Sequence, residues 1–127
     1  MNNACCLPND DVIVATKCLP YRILRYTITG DLKSVSASPA NDDQLAVAST
    51  GDATIVVSSV GKVMVLALDE NGSSSVIGEF ATERIYTSLS STGDGCFMAF
   101  DPGEGFYLDK YSLWGYQNES ELKEILV

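Results

Sequence analysis

Apolar and β-branched residues come in short runs, and turn residues break them roughly every 8–12 positions. Val12-Ile13-Val14-Ala15-Thr16 is one such run. Residues 21–29 alternate, with Tyr21, Ile23, Arg25 and Thr27 on one side and Arg22, Leu24, Tyr26 and Ile28 on the other. That period of two is the mark of a strand. Further strands are predicted weakly over 34–38, and then over 44–50, 53–59, 61–68, 75–80, 84–90, 96–100 and 106–114. Between them stand Gly30-Asp31, Pro39-Ala40-Asn41-Asp42-Asp43, Gly51-Asp52, Asp69-Glu70-Asn71-Gly72, Ser91-Thr92-Gly93-Asp94-Gly95 and Asp101-Pro102-Gly103-Glu104-Gly105, all rich in turn chemistry.

The run Val63-Met64-Val65-Leu66-Ala67-Leu68 does not alternate. A strand apolar on both sides is covered on both sides, so this segment is expected at the middle of the core. Val56, Val63, Val65, Ala67, Ile77 and Phe97 are expected to be buried, and Leu66 with them. Only the C-terminus has helical features. Asn118 would cap the helix, Glu121 would stand at its third position, and Leu122, Ile125 and Leu126 would share a face. No stretch alternates strand with helix as a parallel α/β protein does. The pattern predicts one mainly β domain over residues 1–127. It is read as an antiparallel barrel, sandwich or bent sheet of about 8–9 strands with a short C-terminal helix.

A resemblance inside the chain suggests an alternative. At an offset of 52, Ser36 falls on Ser88, Ser38 on Ser90, Asp42 on Asp94 and Gly51 on Gly103, with Leu45 on Phe97 and Ile55 on Tyr107. This resembles the blade pattern of β-propellers, although the Gly-His and Trp-Asp marks of WD40 blades are missing. At about 40–50 residues per blade the chain holds two or three blades, while closed propellers have at least four. The resemblance therefore implies propeller-like blades completed by oligomerisation.

Composition narrows the chemistry. The chain has 127 residues, no histidine, 17 acidic and 8 basic residues, and a net charge of −9. Without histidine there is no Ser-His-Asp or Cys-His arrangement. The acidic balance disfavours nucleic acid and anionic membranes, both of which call for Lys and Arg. The charge is also uneven. Residues 1–40 carry Lys17, Arg22, Arg25 and Lys33 against Asp10, Asp11 and Asp31, a net of +1, which leaves −10 on residues 41–127. The longest apolar run has six residues, far below the roughly 20 of a membrane-spanning helix. Residues 1–6 contain neither a basic segment nor an apolar one of the kind a signal peptide needs, so cytoplasmic residence is expected. Cys5, Cys6, Cys18 and Cys96 have no metal-ligand spacing and are expected as buried free thiols. No motif calls for a metal or a cofactor, and none is expected.

Seven of the 11 aromatic residues lie between Phe97 and Tyr116, interleaved with carboxylates. Asp101, Glu104, Tyr107, Asp109, Tyr111 and Trp114 are the candidate binding residues. Aromatic faces beside carboxylates suit a cationic ligand or a protein interface. The plain alternative is an aromatic core layer with acids on its solvent side. The function expected is non-catalytic binding, by a small acidic domain that recognises a basic protein partner in the manner of an inhibitor or immunity protein. The alternative is a small-molecule binding protein with an aromatic-lined pocket for a cationic or amphipathic ligand. A homodimer is expected, with the helix or an edge strand at its interface.

Overall fold

The structure, a computed structural model, describes residues 3–51, 53–69, 73–92, 96–103, 107–112 and 118–119, with the backbone alone for Ser112, Asn118 and Glu119. The chain is mainly β. The first sheet holds β1 (Ala4–Cys6), β2 (Val12–Ala15), β3 (Arg22–Tyr26) and β4 (Leu32–Ala37). The second holds β5 (Gln44–Gly51), β6 (Thr54–Ser59), β7 (Lys62–Leu68) and β8 (Ser74–Ala81). The third holds β9 (Ser88–Ser91), β10 (Cys96–Asp101), β11 (Tyr107–Ser112) and β12 (Asn118–Glu119). Each is an antiparallel meander whose strands pair in chain order, and none closes into a barrel. The first strands lie innermost, β1 packing on β5 and β5 on β9.

The second sheet is the middle layer, and its sequence explains why. Successive side chains of a strand point to opposite faces. Val47 of β5, Ile55 and Val57 of β6, and Met64 and Leu66 of β7 turn toward the first sheet and pack on Ile13, Ala15 and Ile23. Ala46 and Ala48 of β5, Val56 of β6, and Val63 and Val65 of β7 turn toward the third sheet and pack on Leu89, Phe97, Ala99 and Tyr111. Both faces are covered, so β6 and β7 have no solvent side, and their unbroken apolar runs follow. Each such side chain contributes roughly 1.5–3 kcal/mol on burial.

Gln44 fastens the first layer to the second. Its Nε2 donates to the Thr16 carbonyl at 2.7 Å, and its Oε1 accepts from Ser38 Oγ at 2.6 Å. Its backbone N–H donates to the Lys17 carbonyl at 3.2 Å.

Several expectations need correction. Among the described residues there are twelve strands where about eight or nine were expected, and β1 was not foreseen. Ile77 is 50% exposed. Val65 pairs with Gly78 and Leu66 with Val76, so a bulge leaves Ile77 opposite no residue, on an outer strand. Ala67 is only half-buried. Residues 84–87 belong to the connection before β9 rather than to a strand. Cys6 and Cys18 are exposed, and Cys5 and Cys96 half-buried; all four are free thiols. Asn118 and Glu119, expected to open the helix, pair with Tyr111 and Lys110 as β12. The remainder of that helix lies outside the described residues. The repeat is not 52. Val12, Ile55 and Phe97 hold matching places, 43 and then 42 residues apart, and the offset of 52 lays β5 on β10, one strand out of step. Among the described residues no helix is long and apolar enough to cross a membrane.

Candidate functional site

Strand β11 alternates, and its odd-numbered residues turn toward the second sheet. Asp109 is fully buried there and Tyr111 is 2% exposed. A carboxylate in such a place must be paired and hydrogen-bonded. The Tyr86 hydroxyl donates to Asp109 Oδ2 at 2.5 Å. The Tyr111 hydroxyl lies 2.6 Å from the Tyr86 oxygen, and since Tyr86 has given its only proton to Asp109, Tyr111 is the donor. Arg84 Nε sits 3.2 Å from the same Oδ2, and its guanidinium carbon lies 3.4 Å from the centre of the Tyr107 ring. Asp109 Oδ1 is buried with no hydrogen-bond partner among the described residues. Burial, and then the hydrogen bonds to Asp109 and Tyr111, push the Tyr86 phenol far above its ordinary value. At neutral pH Tyr86 is therefore a proton donor and not a nucleophile.

The rings around this network fill the space between the sheets. Phe80 stacks on Tyr111 at 5.1 Å between centroids and Phe97 on Tyr111 at 5.4 Å. A solute could touch Asp109 or Tyr111 only by parting the two sheets. Of the residues singled out from the sequence, Tyr107, Asp109 and Tyr111 come together. Asp101 stands at the end of β10 and accepts from the Gly103 N–H at 2.9 Å. Glu104 and Trp114 lie outside the described residues. Sequence reasoning missed Tyr86 and Arg84, which reach Asp109 from the connection before β9. The available signal was Asp109 itself, a carboxylate on the covered side of an alternating strand, which demands partners from elsewhere.

A second feature is a charged edge. In a meander, alternate connections lie at opposite ends of the sheet. The β2–β3, β4–β5, β6–β7 and β8–β9 connections gather at one end, as shown by the Gln44 bonds, by the Thr82 N–H donating to the Gly61 carbonyl, and by Lys62 Nζ 3.4 Å from Asn41 Oδ1. The β1–β2, β3–β4, β5–β6, β7–β8 and β9–β10 connections fall at the other. These contain Asp10, Asp11, Asp31 and Asp69, and their sequence adds Asp52, Glu70 and Asp94, which lie outside the described residues; they contain no Lys or Arg. Asp10, Asp31 and Asp69 are exposed. Asp11 is buried and neutralised, its Oδ2 lying 2.9 Å from both Arg25 Nε and Lys33 Nζ. The opposite connections mix signs, with Lys17 and Arg84 against Asp42, Asp43 and Glu83. No family model matches this chain, and no curated protein matches it.

Proposed function

We propose that the chain is a non-catalytic binding protein that recognises a basic protein surface through the edge formed by the odd-numbered connections. The three sheets are read as successive blades of a β-propeller, since each is a four-stranded meander whose first strand is innermost and whose face packs on the next. The observation that carries the binding reading is the charge at that edge: Asp10, Asp31 and Asp69 are exposed there, while the nearby Arg25 and Lys33 are drawn onto Asp11. Clustered carboxylates on one rim raise the local concentration of a cationic partner and steer its approach, and the effect weakens as salt screens it. The turns hold these groups in place: Asp69 Oδ1 accepts the Ser73 N–H at 2.8 Å, and Asp31 accepts from the Thr29 hydroxyl at 3.1 Å.

The test is fluorescence anisotropy with a labelled lysine-rich peptide at low and at physiological salt. Binding at low salt that weakens as salt rises supports the reading. A variant carrying Asp10→Asn, Asp31→Asn and Asp69→Asn keeps the side-chain acceptors of the turns and should bind several-fold more weakly. No binding at low salt, or equal binding by the variant, would contradict it.

A further inference from the structure

The two seams between sheets are built alike, and the same construction continues onto two faces that no described residue covers. In the second sheet Val57 pairs with Met64, and Ile55 with Leu66. In the third Ala99 pairs with Asp109, and Phe97 with Tyr111. All eight residues turn toward the preceding sheet and are nearly or fully buried. The matching pairs of the first sheet are Val14 with Leu24 and Val12 with Tyr26. These turn away from the second sheet and remain partly exposed. Beside them on the outer strand Leu32 is 56% and Val35 45% exposed. The other end of the stack mirrors this. Ile13 and Val56, and likewise Ile23 and Val63, turn toward the following sheet and are buried. The matching residues of the third sheet are Met98 and Leu108, with Phe100 beside Leu108, and these are partly exposed. The stack thus ends in one face of each kind, and each kind already packs against the other twice within the chain.

We propose that a second copy of this chain occupies both faces. The third sheet of each copy packs on the first sheet of the other, and two identical seams close a ring of six blades. This rests on the blade reading given above. Two observations select a second copy. A head-to-tail contact of three-bladed units closes in multiples of three, and six is the multiple within the common range of about 4–8 blades. The sequence segments that contain the two end sheets are also of opposite net charge. Residues 1–40 carry a net of +1, while residues 82–127 carry eight acids against Arg84, Lys110 and Lys123, a net of −5. Apolar sheet faces of this kind are surfaces that monomers bury.

Light scattering and native mass spectrometry of the intact chain test the proposal, together with Leu24→Lys and Met98→Glu. The wild type should have twice the 13.6 kDa chain mass. Each variant alone spoils both seams, because every seam joins a first sheet to a third. Each should run at the single-chain mass with strand-rich circular dichroism. A mixture of the two should return to double mass, since one of its seams is wholly wild type and the other sets Lys beside Glu. A wild type at single-chain mass at every concentration, variants that remain double, or a mixture that remains single would overturn the proposal. Hydrogen exchange on the same samples separates this from the blade reading. Monomers that keep β6 and β7 protected refute the second copy alone, whereas loss of that protection in the wild type refutes the blades.

Discussion

Tyr86 donates its hydroxyl proton to Asp109, joining the β8–β9 connection to the middle of β11 across 23 residues of chain. With Arg84, this phenol supplies the polar partners of a fully buried carboxyl group set between two apolar faces. Tyr86→Phe removes the donor and keeps the ring, so it should lower stability by about 1–3 kcal/mol, the cost of leaving a buried acceptor unsatisfied. Arg84→Ala removes the cation and should cost about 3 kcal/mol, as when one partner of a buried pair is lost. Urea denaturation of both variants checks this. Midpoints equal to that of the parent would mean that these contacts to Asp109 do not hold the fold.

The same phenol makes the fold sensitive to alkali. Its proton is held far more tightly in the folded chain than in the unfolded one. Such a group stabilises the fold while both states are protonated, and its contribution declines once the unfolded state ionises near pH 10. Tyr21, which donates to Asp43 Oδ1 at 2.9 Å and is pushed up to about 12 mainly by that bond, acts in the same direction. Melting temperature should therefore fall above about pH 10, and less steeply in Tyr86→Phe. A flat profile there would contradict the buried hydrogen bond.

At the acid end Asp11 governs. Hydrogen bonds from Lys33 and then Arg25 hold its carboxyl below the usual range. The stabilisation is complete above the unfolded value near 3.9 and is lost as pH falls from there through the folded value. Asp11→Asn should be less stable than the parent at neutral pH, and the gap should narrow below about pH 4. Parallel curves for parent and variant would show that the ion triad contributes nothing.

Leu66 sits at the centre of the middle layer and is fully buried. Leu66→Ala should cost about 2–5 kcal/mol through lost burial and the cavity left behind. Leu66→Asp should unfold the chain, because an unpaired buried carboxylate costs as much as the whole domain's stability. A variant that melts like the parent would place Leu66 at a surface.

The β class and most strand positions were legible because runs such as 53–59 and 61–68 state their burial locally, and Gly-Asp and Asn-Gly pairs punctuate them. The layering was half legible: unbroken apolarity in β7 announced cover on both sides, though not which sheets supplied it. Ile77 misled because a bulge depends on the register of the partner strand, which its own run does not encode. β1 is three residues long and carries its signal only in pairing with β2. Asn118 and Glu119 have good helix-cap chemistry, yet pairing with β11 overrides a propensity worth only about 1 kcal/mol. The aromatic and acidic residues of β11 were found, but their role was not. The groups that neutralise Asp109 lie more than twenty residues upstream, and no spacing rule reaches them. The repeat was visible but misplaced by a strand, since unequal loops spoil a constant offset.

The middle sheet is covered on both faces, while β4 and β8, the outer strands of the first and second sheets, face solvent. Hydrogen exchange resolved to single amides measures this directly. The slowest amides are expected within β6 and β7, at Ile55 to Ser58 and Val63 to Leu66, with β4 and β8 exchanging much faster. Amides of β6 that exchange as fast as those of β8 would contradict the layered arrangement, and with it the blades and the seams.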